Sequence, residues 1–240
     1  MTPRQKLLLK AIIGEFIDTA NAVGSLNIPK KYKINASPAT IRNEMAKLVR
    51  LGYLEKPHSS SGRLPTTEGL RYYLTEMLDE IEEMEYRKQA EIKERFHQKR
   101  FDKHELIVDA VESLSEITNN AAIALVDKNV FYAGLSHILA HKEFRDFDKL
   151  KVVLDVIDNY SALNTLFSKN VERKKIKVLI GEETGFDEFG KYAVVFTPIE
   201  LYGRKKGYLS IIGPNRMKYR LVIPALRTVA ESIEMVVHGW

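Results

Sequence analysis

Three short amphipathic segments, each with its own start or stop signal, fill the first 52 residues of this 240-residue chain. Thr2 before Pro3 and Ser37 before Pro38 are helix starts, because each places a hydroxyl cap ahead of a proline that the first helical turn tolerates. Gly52 supplies a stop after the third segment. The N-terminal region is therefore predicted to contain three short helices.

The outer two segments repeat apolar residues at helical spacing, which predicts one buried stripe on each helix. These residues are Leu9, Ile13, Phe16 and Ala20 in the first segment and Ile41, Met45 and Leu48 in the third. The second segment carries Tyr32 and can be capped by Ser25 or Asn27. Pro29 favours the later start, since proline costs about 3 kcal/mol inside a helix.

The opposite face of the third helix carries polar side chains suited to reading DNA. Thr40, Asn43, Lys47 and Arg50 fall on one side at helical spacing, and Arg42 flanks them near the N-terminal end. In a major groove, asparagine can pair with adenine and arginine with guanine. The alternative is an ordinary polar helix face.

A polar loop at 58–63 separates two short apolar runs, which predicts a two-stranded hairpin with Gly62 and Arg63 at its tip. A helix-turn-helix followed by a hairpin is a winged helix, in which the wing arginine reaches a phosphate or the minor groove. Alternatively, Arg63 pairs with Glu55 within the hairpin.

The basic charge of the chain is concentrated at one end. Residues 1–75 hold 12 Lys/Arg and 5 Asp/Glu, a net +7, whereas the remainder holds 25 and 27, a net −2. This asymmetry is typical of a nucleic-acid-binding head joined to a body with another task. A solvated basic surface is the alternative.

Composition excludes several classes of protein. With 45% hydrophobic and 29% charged residues, the chain is expected to fold rather than stay disordered. The absence of cysteine excludes disulfides, thiol nucleophiles and thiolate metal sites. No apolar run approaches the roughly 20 residues of a membrane span and no signal peptide is evident, so we expect a cytoplasmic protein without membrane association.

A long charged helix is predicted to begin at Thr67, because apolar residues recur at coiled-coil intervals. They are Leu70, Leu74, Met77, Ile81 and Met84. The pattern lasts little more than two heptads and is followed by Lys88. A dimer seam and a solvated spacer helix both fit it.

Beyond His104, short strands alternate with amphipathic helices. Strands are predicted at 121–126, 130–132, 177–180, 192–197 and 207–212, with helices through 106–117, 150–167 and 219–237. Strands flanked by helices at both ends predict an antiparallel sheet covered by helices, and hence an α+β body.

No residue set for catalysis or cofactor binding is found. His137 and His141 could share a helix face as metal ligands, but a structural role is favoured because no third ligand is evident. The glycines at 181–190 are mis-spaced for a nucleotide-binding fingerprint and are interpreted as a loop. We therefore expect neither an enzyme, nor a metal site, nor a cofactor.

Several motifs at both ends of the chain resemble the HrcA family, the bacterial heat-inducible transcription repressors. In the head they are A-V-G-S at 22–25, S-P-A-T-I-R-N-E-M at 37–45, L-G-Y-L-E-K-P-H-S-S-S-G-R-L-P-T at 51–66 and G-L-R-Y-Y at 69–73. In the body they are F-Y-A-G-L-S-H-I-L at 131–139 and P-I-E-L-Y-G-R-K-K-G-Y-L-S-I-I-G-P-N-R-M at 198–217. Two features depart from the family pattern. Pro29 replaces a helix-compatible residue, and the stretch from 139 to 177 is too short for the additional domain that many members carry.

The resemblance implies an α+β protein with a winged-helix DNA-binding domain at 1–75, a helical connector at 76–103 and a GAF-like regulatory and dimerisation domain with flanking helices at 104–240. It implies a homodimeric repressor that binds double-stranded operator DNA at a CIRCE-type inverted repeat and is kept active by the GroE chaperonin. The predicted DNA-binding residues are Ser37, Thr40, Arg42, Asn43, Lys47, Arg50 and Arg63.

Two other functions fit the same residues. One is a winged-helix regulator that senses a small molecule in a GAF-like pocket. The other is an enzyme or RNA-binding factor that uses the head only for localisation. Because the family's additional domain is absent, the connector or the last helix would have to supply the dimer contact.

Overall fold

The computed structural model describes residues 1–26, 28–57, 62–78, 83–145, 147–170, 175–201 and 205–238. The chain divides into two compact units, Met1–Glu80 and Ile81–Trp240. Helices and an antiparallel sheet make the whole an α+β protein, as the sequence predicts. Within the described residues, no helix is both long and apolar enough to cross a bilayer.

The described residues of the first unit form three helices, a short hairpin and a further helical segment. Its elements are α1 Pro3–Thr19, α2 Ile28–Lys31, α3 Pro38–Arg50, β1 Leu54–Glu55, β2 Leu64–Pro65, α4 Thr67–Tyr72 and a π-helical turn Tyr73–Met77. The stripe of α3 is buried as predicted, with Ile41, Met45 and Leu48 at most 3% exposed. Leu9, Ile13 and Phe16 of α1 are buried as well, whereas Ala20 lies at its left-handed C-cap.

Both predicted helix starts are confirmed by their hydrogen bonds. The Thr2 hydroxyl accepts a hydrogen bond from the Gln5 backbone amide at 3.2 Å, and the Gln5 side-chain oxygen accepts one from the Thr2 backbone amide at 2.9 Å. The Ser37 hydroxyl accepts a bond from the Thr40 amide at 3.1 Å. The second helix is shorter than predicted: α2 ends at Lys31, before Tyr32, and Asn27 lies outside the described residues.

The prediction of one long helix from Thr67 is wrong. α4 gives way to a π-helical turn after Tyr72, and Leu78 leaves the helical region with a ψ of 85°. Residues 83–85 are not helical either, and α5 begins only at Tyr86.

Burial within the first unit explains the failure of the coiled-coil pattern. Leu70 and Met77, which the heptad spacing assigns to a dimer seam, are 0% and 5% exposed in the folded chain. Ile81 lies outside the described residues. Periodic spacing shows that these side chains are buried but does not show against what.

The second unit is a five-stranded antiparallel sheet with helices on both faces. Its elements are α5 Tyr86–Gln98, α6 Lys103–Thr118, β3 Ala121–Val126, β4 Asn129–Ala133, α7 Leu135–Ala140, α8 Phe147–Asp158, α9 Tyr160–Asn170, β5 Lys177–Ile180, β6 Tyr192–Leu201, β7 Lys205–Pro214 and α10 Tyr219–His238, with 3-10 turns at Lys142–Arg145, Gly181–Thr184 and Asp187–Lys191. The strand order is β4-β3-β7-β6-β5. The helix predicted at 150–167 is two helices, because Asn159 interrupts it and caps α9 through the Ala162 amide. The loop predicted at 181–190 instead contains 3-10 turns.

Both faces of the sheet are covered, which explains why β3 is buried at every position. One face packs against α7, α8 and α9 through a core that includes Ile123, Phe167 and Phe196, and the two phenylalanine rings lie 4.8 Å apart. Side chains alternate between the two faces along a strand. The strand residues that alternate with this core therefore face α6 and α10, which pack against β4, β6 and β7.

Two glycines of the first unit are expected to respond oppositely to alanine. A Cβ at Gly69 in α4 would lie 2.2 Å from the Tyr53 carbonyl oxygen, so the helix and the hairpin would have to separate. Gly69→Ala should therefore destabilise the protein by about 1 to 3 kcal/mol, the usual cost of overpacking. Gly14→Ala in α1 meets only an ordinary 3.5 Å contact with the Tyr32 hydroxyl and should stabilise by up to about 1 kcal/mol through helix propensity. Denaturant unfolding followed by circular dichroism measures both; a Gly69→Ala variant as stable as Gly14→Ala would contradict this packing.

Candidate nucleic-acid interface

The exposed face of α3 presents four of the predicted DNA-binding residues. Arg42, Asn43, Lys47 and Arg50 are exposed, while Ile41, Met45 and Leu48 anchor the opposite face in the core. A rigid helix with two basic residues in its last turn thus carries an amide and three cationic groups on one accessible surface.

Ser37 and Thr40 are occupied by the start of this helix. The Ser37 hydroxyl caps the Thr40 amide, and the two side-chain oxygens lie 2.9 Å apart. The structure thus gives Ser37 the capping role and Thr40 the amide that is capped, and the contact of both residues with DNA stays a prediction.

Lys47 is held by an intrahelical ion pair with Glu44. The Lys47 Nζ lies 2.8 Å from the Glu44 Oε1, and the Gln5 side chain donates to the other carboxylate oxygen at 2.9 Å. The hydrogen bond from Lys47, assisted by Gln5, lowers the pKa of Glu44. A carboxylate therefore lies beside Lys47, a predicted DNA-binding residue, and moderates the positive charge of this face.

Gly62 and Arg63 do not form the tip of the hairpin, which corrects the sequence prediction. Arg63 pairs with Val23 through two backbone hydrogen bonds of 2.9 and 3.0 Å, so it is held against the α1–α2 turn at the residue before β2. Gly62 is buried against Ala22, whose backbone carbon would lie 2.9 Å from an added Cβ. The Arg63 guanidinium donates to the Gly62 carbonyl at 3.1 Å. The remaining residues of the predicted loop, 58–61, lie outside the described residues.

Arg42 and Arg63 both line a groove of about 540 Å³ on the first unit. Its walls are the turn between α1 and α2, the first half of α3 with Arg42, and the hairpin with Lys56 and Arg63. Asn43, Lys47 and Arg50 are not part of its lining. Sequence reasoning did not single out Lys56. Its only signal was its basic charge within the K-P-H-S-S-S-G-R motif.

The charges around the groove favour an anion. Among the lining residues that the structure describes, the acid is Glu15, which bonds to Lys31 and accepts from the Tyr32 hydroxyl at 3.1 Å. The hydrogen bond from Lys31 lowers the pKa of Glu15. The remaining charged residues of the lining are Arg42, Lys56 and Arg63, all cationic.

The histidines considered as metal ligands lie in the second unit, His137 in α7 and His141 directly after it. The His137 Nδ1 lies 3.2 Å from the Ser115 hydroxyl, and burial, with the charge of Arg216, lowers the pKa of His141. In the part of the chain that the structure describes, no group of three or more His, Asp or Glu side chains could hold a metal ion.

Comparisons with known proteins cover nearly the whole chain. Heat-inducible transcription repressor HrcA of Pelotomaculum thermopropionicum is 25% identical, over 98% of this chain and 97% of that protein. The protein of the same name from Thermoanaerobacter pseudethanolicus is 29% identical, over 96% and 95%. A crystal structure of a hypothetical protein at 2.2 Å resolution has the same fold, with a TM-score of 0.81 at 19% identity over 98% of this chain and 99% of that one.

These similarities place the chain in the class of transcription repressors rather than enzymes. The family model for the HrcA protein C terminal domain matches residues 65–223, well over half of the sequence. The chain belongs to the HrcA family.

The chain is short for its family, as its sequence suggests. The alignment with the Pelotomaculum protein is 341 positions long, whereas this chain has 240 residues, so about 100 positions of that relative have no counterpart here.

Proposed function

We propose that this chain is a homodimeric repressor of heat-inducible genes and that its first unit is a winged helix that binds double-stranded operator DNA. The observation that carries the proposal is the exposed face of α3, where Arg42, Asn43, Lys47 and Arg50 project from a helix anchored by its other face. Its operator DNA would lie in the bacterial cytoplasm.

The proposal divides the predicted residues by chemistry. Asn43, with Thr40 near the start of the helix, reads base edges, because short polar groups there can enter a major groove. Lys47 and Arg50, further along the helix, contact phosphates. Ser37 contributes through the cap that fixes the helix start. Arg63 acts from the residue before β2, where it is paired with Val23.

The finer identity of partners rests on the family resemblance. The operator is proposed to be a CIRCE-type inverted repeat, the second unit a GAF-like regulatory domain, and the GroE chaperonin the partner that keeps the repressor folded. Chaperonin control requires a marginally stable protein, in which a loss of a few kcal/mol changes the folded fraction substantially.

A small-molecule sensor is less well supported. A ligand pocket in such a body would need space over the sheet, but the face beneath α8 and α9 is filled by apolar side chains. For example, the Phe167 ring contacts the rings of both Phe196 and Tyr208, at centroid distances of 4.8 and 5.3 Å.

Two predicted sources of a dimer contact are weakened by the structure. The seam residues Leu70 and Met77 are buried in their own chain, and the apolar face of α10 packs within its own unit, where Val222, Leu226 and Val229 are fully buried. An inverted repeat nevertheless requires two-fold protein symmetry, so the proposal retains the dimer.

The experiment is to recover and sequence the genomic DNA that the purified full-length protein retains without added metabolite. An inverted repeat upstream of chaperone genes is expected, bound by two chains per duplex in analytical ultracentrifugation. A duplex carrying one half-site should bind more weakly, since one winged helix buries little surface. Retention of no preferred sequence, or full-affinity binding by a single chain, would contradict the proposal.

A further inference from the structure

The groove between the α1–α2 turn, α3 and the hairpin has a composition that DNA reading by α3 does not explain. It is concave, it holds about 540 Å³, and it brings Arg42 of α3 together with Lys56 and Arg63 of the hairpin. A concave cluster of cations favours an anionic ligand.

We infer that this groove, called here the phosphate groove, grips one phosphate of the DNA backbone through Lys56, Arg63 and Arg42. The inference rests on the proposed DNA-binding function and deepens it, because it assigns these residues to backbone positioning and not to base or minor-groove reading. A groove wall formed where the hairpin meets the α1–α2 turn suits a phosphate oxygen that passes over the surface of the protein.

The position of Arg63 supports this assignment. Its backbone is fixed to Val23 by two hydrogen bonds and its guanidinium is tied to the Gly62 carbonyl. An arginine restrained in this way loses little further conformational entropy when it binds a phosphate, which favours binding. The same restraint opposes deep insertion into a minor groove.

The electrostatic balance also favours a phosphate. Glu15, the acid in the lining, is already engaged by Lys31 and Tyr32, so it opposes the three remaining cations only weakly. A phosphodiester has one negative charge and accepts hydrogen bonds on two oxygens, which fits two or three cationic donors around a small concavity.

Gly24 provides a direct way to test the groove. It lines the groove, and a Cβ added there would meet no heavy atom within 4 Å. Gly24→Glu therefore adds a carboxylate to the groove without a clash at its first carbon, and Gly24→Gln adds the same shape without the charge. Lys56→Gln removes one cation from the same surface, and Lys151→Gln, an exposed lysine of the second unit, controls for net charge.

The probes are a duplex carrying the recovered operator and a scrambled duplex of equal length, measured by fluorescence anisotropy over a range of KCl. Gly24→Glu should weaken binding to both duplexes about 10-fold or more, because a nearby like charge repels the phosphate, whereas Gly24→Gln stays within about 2-fold of wild type. Lys56→Gln should lower the slope of log affinity against log salt by about one unit on both duplexes. Lys151→Gln should leave the slope unchanged.

Neutral methylphosphonates placed singly along the operator locate the contact. At one position the substitution should weaken wild-type binding but have no further effect on Lys56→Gln.

Wild-type affinity of both Lys56→Gln and Gly24→Glu would overturn the phosphate groove while leaving the proposed function intact. A loss confined to the operator would also overturn it, since the groove would then read bases. Failure of the wild-type protein to bind any duplex would refute the proposed function instead. Circular dichroism checks the folding of each variant. If Gly24→Glu does not fold, the salt slope of Lys56→Gln decides the test of the phosphate groove.

Discussion

Arg216→Met should destabilise the second unit by about 3 kcal/mol, because removal of one partner leaves a buried charge uncompensated. Arg216 binds Glu143 with two hydrogen bonds, of 2.7 and 3.1 Å, and the two side chains are only 14% and 8% exposed. The pair joins the turn before α10 to the 3-10 turn at Lys142–Arg145, whose Glu143 carbonyl also accepts from the Tyr192 hydroxyl at 3.0 Å.

Chemical denaturation of the full chain measures the effect, and a double variant isolates the pair. Glu143→Met should be costly alone, but Arg216→Met combined with Glu143→Met should cost less than the sum of the two, with a coupling of up to about 3 kcal/mol. Lys103→Met, which breaks the more exposed pair with Asp127, serves as the control and should cost at most about 1 kcal/mol. Additive single variants would show that the pair contributes no specific coupling.

The same pair should make stability depend on acid pH. Burial by itself would raise the pKa of Glu143, but the hydrogen bonds and charge of Arg216 outweigh burial and hold that pKa below its ordinary 4.5. A lowered pKa in the folded state stabilises the protein above the unfolded value, and this stability is lost as the pH falls through the lowered pKa. In Arg216→Met this part of the acid dependence should shrink.

Local signals predicted those elements whose ends are marked in the sequence itself. Ser37 and Pro38 fix the start of α3, and its stripe of Ile41, Met45 and Leu48 is buried because a 3.6-residue period places all three on one face. Strand β5 was predicted to the residue, since a short apolar run between polar segments has few alternatives.

Features that depend on distant residues could not be predicted in this way. The place of Arg63 is fixed by a backbone pair with Val23, 40 positions earlier, and no periodic pattern records such a pairing. The phosphate groove needs three separate segments of chain, so neither Lys56 nor Gly24 is distinctive on its own. The long helix from Thr67 failed for a related reason, because Leu70 and Met77 found their apolar neighbours within their own unit.

Asn43→Ala should weaken operator binding by about 1 to 3 kcal/mol and leave binding to scrambled DNA nearly unchanged, because a bidentate contact to a base edge carries sequence information. Asn43 is exposed on α3 and lies outside the lining of the phosphate groove, so its loss should not disturb that contact. Equal losses on operator and scrambled DNA would remove Asn43 from base reading.

Its matched comparison is Lys47, one helical turn further on. Lys47→Ala should weaken binding to both duplexes and lower the salt slope by about one unit, as expected for a phosphate contact. Part of the loss should come from Glu44, whose carboxylate is paired with Lys47 at 2.8 Å and would face the DNA without its partner. Glu44→Gln in the Lys47→Ala background should therefore restore some affinity on both duplexes, because an amide can keep the Gln5 contact without the negative charge. If Glu44→Gln restored nothing, the ion pair on α3 would have no part in tuning the affinity of this surface for DNA.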